Sequence, residues 1–319
     1  MRRVEVDGVK ISRLCMGTVN FGYKVAKREA FRLIDAYCEQ GGNLLDTASV
    51  YCRWIDGTNG SERLIGQYLK ERGKDRVMVA TKGGHYDFSA PQVSRVRAEE
   101  VRKDVEQSLR TLGLERIDFY WLHRDDPALP MEELLGFCED LKEQGKIARY
   151  GASNFSAERL EEARRVSAKR GYAGFFGVSN AFSCAVQVPN AASDPTLHSV
   201  DARQAEWFRE HAVDLFAYSS CAQGYFSARA EKGEAFAREK YAAYDHPEND
   251  RRFEILTKIS RETGCPIAGC AIAALLAMPF PVFPVFSVSG EEHLQELLQG
   301  ESFAFEQGAF DALRLGKEY

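Results

Sequence analysis

Short runs of apolar, β-favouring residues alternate along this chain with longer stretches whose apolar positions recur every three or four residues. That rhythm is the first structural statement the sequence makes. It opens on Val4-Glu5-Val6-Asp7-Gly8-Val9-Lys10-Ile11, where alternation is broken by Asp-Gly, and so predicts a β-hairpin. Leu14–Gly17 then precedes a helix predicted over 28–40. Asn43–Asp46 precedes one over 61–71, with Ser61 as a candidate N-cap and Leu64, Ile65, Tyr68 and Leu69 as its apolar stripe. The pattern repeats with strand 76–81 and helix 98–112, strand 117–122 and helix 131–144, and strand 147–151 and helix 156–169. Residues 175–178 and 213–218 read as the sixth and seventh strands with a helix over 201–211 between them, and 282–286 as the eighth. Gly41-Gly42, Gly113, Gly145 and Gly264 stand where a helix closes on a left-handed residue.

Eight strand–helix repeats predict a closed (β/α)8 barrel preceded by a hairpin, in one domain over 1–319. Two stretches interrupt the rhythm: 186–200, with Pro189 and Pro195, and 222–249, charged and rich in tyrosine. Both follow barrel strands at the end where such folds carry their sites, so each reads as a candidate flap or as a variable surface loop.

Composition narrows the function classes. The 319 residues are 45% hydrophobic and 28% charged, with a formal net charge of −5, which supplies no basic field for nucleic acid or an anionic membrane. The longest apolar stretch, 268–281, is too short to cross a bilayer and the N-terminus is not a signal peptide, so a cytoplasmic protein is expected. The eight cysteines form no CxxC pair and no Cys/His cluster at zinc spacing, which predicts reduced thiols and no metal. The expected partner is a small molecule, with assembly of several copies left open.

In a barrel of this kind the chemistry is carried by polar residues that close the apolar runs. The second run ends in Asp46, with Tyr51 five residues on; the third ends in Thr81-Lys82; the fourth ends in Leu122-His123. Singly, each has an ordinary explanation as a loop cap, a packing residue, a surface charge or a core histidine. Together they make a proton-transfer set. An ammonium beside a phenol lowers its pKa, a carboxylate keeps that ammonium charged, and an imidazole adds a second donor where alkoxide charge develops. Asp46 and His123 alone would also suit a hydrolase or isomerase.

The motifs Asp46-Thr-Ala-x-x-Tyr51, Thr81-Lys82, and Leu122-His123 after an Asp-Phe-Tyr strand resemble those of the aldo-keto reductase superfamily, and the resemblance spans nearly the whole chain. It implies reduction of an aldehyde or ketone by NADP(H) or NAD(H), with Tyr51, Asp46, Lys82 and His123 as the catalytic set. It implies also a nicotinamide nucleotide lying extended across the barrel top, which accords with the lack of a GxGxxG motif. By that likeness Gly17, Thr18 and Asp46 border the cofactor, Ser153 and Asn154 hold its carboxamide, Tyr218 stacks on the ring, and Ser219, Ser220 and Gln223 follow the pyrophosphate.

Two places depart from the family pattern. Ser179, with Asn180 beside it, stands where a glutamine is usual. After the eighth strand the positions that often bear a cation for the 2′-phosphate fall at Ser287 and His293, with Ser289 between them, Glu291 and Glu292 nearby, and Leu297 in place of an asparagine. Fixed cations favour a phosphate most, so their lack leaves NAD(H) open beside NADP(H).

Phe21, Trp54 and Trp121 or Arg124 are expected at the pocket mouth, with Trp54, Arg124, Tyr51 and His123 facing substrate. The polar run His123-Arg124-Asp125-Asp126 beside aromatic residues suggests a hydroxylated, sugar-like compound. Barrels of this family also serve as nicotinamide-binding sensors or regulatory subunits with little turnover, and that is the alternative reading.

Overall fold

A computed structural model describes residues 1–188 and 194–315. Its N-terminal hairpin pairs β1 (Arg3–Val6) with β2 (Val9–Ser12), turning on Asp7 and Gly8, both at positive φ. The barrel strands are β3 (Cys15–Gly17), β4 (Leu44–Asp46), β5 (Met78–Gly83), β6 (Phe119–Leu122), β7 (Tyr150–Ser153), β8 (Val178–Ser179), β9 (Leu215–Ala217) and β10 (Val282–Phe286). All eight are parallel, and β10 pairs with both β9 and β3, which closes the ring. The helices α1 (Lys27–Glu39), α2 (Arg53–Asp56), α3 (Gly60–Arg72), α4 (Ala98–Leu112), α5 (Met131–Glu143), α6 (Ala157–Arg170) and α7 (Ala202–His211) follow in chain order. Between β9 and β10 stand α8 (Tyr225–Lys232), α9 (Glu234–Lys240), α10 (Pro247–Thr263) and α11 (Ile267–Leu276), and α12 (Glu291–Ser302) and α13 (Gln307–Leu315) end the described chain.

The barrel interior is an aromatic column rather than a pore. Phe119, Trp121, Phe216 and Phe283 are buried there with Cys15, Leu44, Ala80 and Val285, and Phe216 stacks on Phe283 at 4.7 Å. Val6 and Ile11 of the hairpin join the same cluster, so the hairpin caps one end of the barrel with apolar side chains. Trp121, expected at the pocket mouth, is instead fully buried against Phe176 and Phe216. Successive strand residues face opposite sides, so Tyr120 and Leu122 pack toward the helices and Trp121 must point inward. Phe21 is buried as well.

Three further expectations change. Ser61 is no N-cap: α3 begins one residue earlier, and the Ser61 hydroxyl is buried between the Thr18 and Thr47 hydroxyls, each at 2.9 Å. The stretch 222–249 is largely helical, as α8, α9 and the start of α10, because Tyr225, Phe226, Ala237 and Tyr244 bury against Leu256 and Ile259 of α10. Several strands also begin later than their apolar runs, β5 at Met78 rather than residue 76 and β7 at Tyr150 rather than 147. Parallel pairing, not hydrophobicity, sets those ends, and it carries Lys82 and Ser153 into the sheet itself. Of 186–200, residues 189–193 lie outside the described residues. All eight cysteines are free thiols, and no helix among the described residues is long and apolar enough to cross a membrane.

Candidate active site

Asp46 closes β4, Lys82 lies near the end of β5 and His123 directly follows β6, so strand pairing alone sets the three side by side at one rim. The Lys82 ammonium bonds the Asp46 carboxylate and donates to the Thr47 carbonyl at 2.7 Å, with both charged side chains buried. Burial pushes the Asp46 carboxyl up and Lys82 draws it back; burial also pulls the Lys82 ammonium down, and Asp46 and Tyr51 more than restore it. The pair is therefore held as ions, each depending on the other.

Tyr51 is carried back over this pair by the turn that leads into α2. Lys82 Nζ lies 5.3 Å from the centroid of its ring, and the His123 ring stands edge-on at 6.1 Å. Burial raises the Tyr51 phenol above its ordinary value, and Lys82 opposes that rise without cancelling it. The phenol is a protonated donor at neutral pH. Burial, with Arg124, His85 and Lys82 alongside, holds the His123 imidazole far below its usual value and thus neutral. Its Nδ1 is buried without a protein partner.

The residues expected around a nicotinamide gather at the neighbouring strand ends. The Ser153 hydroxyl donates to the Ser179 carbonyl at 2.8 Å. The Asn154 amide donates to the His123 carbonyl at 3.0 Å and accepts from the Tyr218 hydroxyl at 2.6 Å. Asn180, beside the unusual Ser179, supplies a carboxamide, but that group is held within the protein by the Asn154 backbone N–H and the Phe155 carbonyl. The Ser179 hydroxyl itself is buried without a partner, a polar atom that a bound carboxamide would satisfy. Of the seven non-glycine residues at positive φ among the described residues, four lie just after β7 and β9: Asn154, Ser219, Ala222 and Gln223. Such conformations are costly for L-residues, so these two rim segments carry local backbone strain.

On the far side, Gly17 lies so close to β10 that an added Cβ would stand 2.9 Å from the Ser287 hydroxyl, which donates to the Gly17 carbonyl at 2.9 Å. The Thr18 and Ser220 hydroxyls are likewise bonded to the Asp46 and Val285 carbonyls. Ser287, Ser289 and His293 are exposed, whereas Leu297 is buried in the core and presents nothing polar.

Trp54 is 44% exposed and contacts both Tyr51 and Phe88, itself 47% exposed. Phe88 in turn meets His85 and Tyr86, and His85 meets His123 at 4.9 Å, so aromatic contacts run from the surface to the His123 imidazole. Arg124 is buried and bonded to Asp194, and Asp125 is paired with Arg159, so two charges of the polar run after β6 are engaged within the protein. His85, Tyr86, Phe88, Asp194 and Thr196 did not emerge from the sequence. His85 sits three residues past Lys82, in the coil just beyond the end of β5, where counting on from the strand end reaches it; Asp194 and Thr196 carry no local signal.

A phenol thus stands beside a buried ion pair at the rim of a parallel barrel, and comparison with known proteins gives the family. The model of the aldo/keto reductase family matches residues 13–314. The chain is 25% identical over 307 residues to the uncharacterized oxidoreductase YrpG of Bacillus subtilis, across 94% of this chain and 90% of that one. It is 26% identical over 302 residues to the norsolorinic acid reductase stcV of Emericella nidulans, across 90% and 73%. Over 166 residues, 50% of this chain and 48% of the other, it is 34% identical to the aldo-keto reductase YhdN of Bacillus subtilis. The chain belongs to the aldo/keto reductase family, and with it to the nicotinamide-dependent oxidoreductases.

Proposed function

We propose that this protein interconverts an aldehyde or ketone and its alcohol, with Tyr51 as the group that gives or takes the proton at the carbonyl oxygen. The observation that carries the reading is the placement of Lys82, bound to Asp46, beneath a Tyr51 ring that also faces His123. A phenol held in its protonated form by burial is a donor in the reducing direction, and Lys82 stabilises the phenolate left behind. His123, neutral and adjacent, supplies a second hydrogen bond to the same oxygen as charge develops there.

NADP(H) or NAD(H), when bound, supplies the hydride. Ser153, Asn154 and Ser179 are the residues that would hold its carboxamide, Tyr218 would cover one face of the ring, and the 219–223 segment would follow the pyrophosphate. The partnerless Ser179 hydroxyl supports that fit. Ser287, Ser289 and His293 would border the adenosine end. None of them is a fixed cation, and Arg32 is turned to Glu29 and Glu291, so NADPH should gain little over NADH.

The exposed Trp54 and Phe88 favour a substrate with a flat apolar face. With Arg124 and Asp125 paired inside the protein, the sugar-like alternative rests on fewer free polar groups than the sequence suggested. Titration of protein fluorescence with NADPH and NADH, then oxidation of the tighter one against aromatic ketones, aliphatic aldehydes and aldoses, tests the reading. Turnover strongest with aromatic carbonyls supports it. Tight nucleotide binding without turnover across the panel indicates a sensor, and no nucleotide binding refutes the assignment altogether.

A further inference from the structure

Arg124 is the buried cation at the rim that the proton-transfer scheme does not use, and every face of its guanidinium is bonded to protein. One terminal nitrogen donates to the His123 carbonyl at 2.8 Å; the other donates to His85 Nε2 at 3.0 Å and to Asp194 at 2.9 Å; Nε donates to the Thr196 hydroxyl at 2.7 Å. A guanidinium only donates, so His85 Nε2 must accept. The His85 proton then lies on Nδ1, which faces the Tyr86 carbonyl at 2.9 Å. Arg124 thereby fixes the tautomer of one imidazole and the backbone of the other.

The carboxylate that balances Arg124 arrives from 70 residues further along the chain. Asp194 also accepts from the Tyr86 hydroxyl at 2.8 Å and from the Thr196 backbone N–H at 2.9 Å. Beyond it, the His198 N–H donates to the Asn154 side chain at 3.0 Å, and Ala181 exchanges hydrogen bonds with His198 and Val200. Residues 194–200 thus form a strap across the ends of β7 and β8, seated at one end on Arg124 and at the other on Asn154. Its two seats thus touch the groups proposed to meet the carbonyl and the carboxamide: Arg124 bonds the His123 carbonyl, and Asn154 is itself one of the proposed carboxamide contacts.

We propose that Arg124 is a positioning residue rather than a substrate contact: with Asp194 as its counter-charge, it seats the 194–200 strap and fixes His123 and His85 in the arrangement that receives the carbonyl oxygen. This rests on the reading of His123 given above. The reporter is His85, whose imidazole burial and Arg124 hold down to about 4. The groups facing that ring are Arg124 and His123 after β6, Arg95 ahead of α4, Tyr86 and Phe88 on its own segment, and Asp194 on the strap.

The test is histidine side-chain NMR titration of the whole protein, with steady-state kinetics on the best carbonyl of the panel, for Arg124→Met and Arg124→Lys. In Arg124→Met the His85 midpoint should rise by about one pH unit and its single-tautomer signature should be lost. There kcat should fall about tenfold or more while KM stays within about threefold. Arg124→Lys retains the charge and should leave the His85 midpoint within about half a unit of the parent. An unchanged midpoint in Arg124→Met, or a raised KM with kcat preserved, overturns the proposal. Should Arg124→Met fail to fold, Asp194→Asn decides: hydrogen exchange at the Thr196 amide should quicken about tenfold and kcat should fall, and no change in either overturns it. A parent protein without turnover on any carbonyl refutes the reduction reading, while the titration and exchange still judge the strap.

Discussion

The Lys82 ammonium stands 5.3 Å from the centroid of the Tyr51 ring while its charge is answered by Asp46. One lysine thus serves two acids: it keeps a buried carboxylate ionised and lowers the cost of ionising a buried phenol. Because burial still prevails at Tyr51, alcohol oxidation, which needs the phenolate, should keep rising with pH into the alkaline range. Lys82→Met removes the opposing charge and should displace that limb to higher pH, read from kcat/KM against pH. A limb that stays in place would remove Lys82 from the scheme.

Tyr51→Phe deletes the proton and leaves the ring that Trp54 and His123 pack against. Turnover should fall by about a thousandfold or more, and nucleotide affinity should stay within about threefold. Ordinary turnover in this variant sinks the proposed mechanism.

Asp46 and Lys82 should be worth far more as a pair than either is alone. Asp46→Asn or Lys82→Met leaves one uncompensated buried charge and should cost about 3–5 kcal/mol in urea unfolding. The double variant should recover much of that loss, and strictly additive single effects would show that the ions do not rely on each other.

His85 carries a pH signature of stability. Its folded-state value, about 4, lies below the ordinary 6.5, so the unfolded chain binds a proton that the folded protein refuses. The contribution is fully present above about pH 6.5 and is lost as pH falls toward about 4, on the order of 3 kcal/mol in all. His85→Gln should flatten the fall in stability over that window, measured as ΔG of unfolding against pH.

Gly83 follows Lys82 where β5 meets α4, and an added Cβ would stand 2.0 Å from the Tyr120 hydroxyl and 2.8 Å from Asp104 Cβ. Gly83→Ala must displace Tyr120 or the strand that bears Lys82, at a cost of about 2–4 kcal/mol. Loss of stability together with turnover is the expected outcome, followed by thermal melting and steady-state kinetics. Unchanged melting would mean that the strand end yields more readily than its packing implies.

Much of the fold could be read directly, because a residue's place in a strand or helix depends on its near neighbours. Helix α4 and strand β10 fall where periodicity puts them, and Asp46, Lys82 and His123 stood out as polar residues closing apolar runs. The family motifs added Ser153, Asn154 and Tyr218, which the strand ends do bring together. Less legible were Trp121, whose direction depends on strand parity within a closed barrel, and Ser61, whose hydroxyl answers Thr18 and Thr47 rather than its own helix.

The sequence by itself determined the barrel and its hairpin and pointed to a candidate proton-transfer set, since each strand, helix and run-closing polar residue follows from its near neighbours. Only the tertiary structure decided that Arg124 is answered by Asp194, that His85 joins the rim, and that two charges of the polar run after β6 are engaged from within. Those outcomes depend on which distant segment reaches a buried charge. Desolvation makes such a charge take the nearest well-placed partner, and only the folded chain fixes which partner that is.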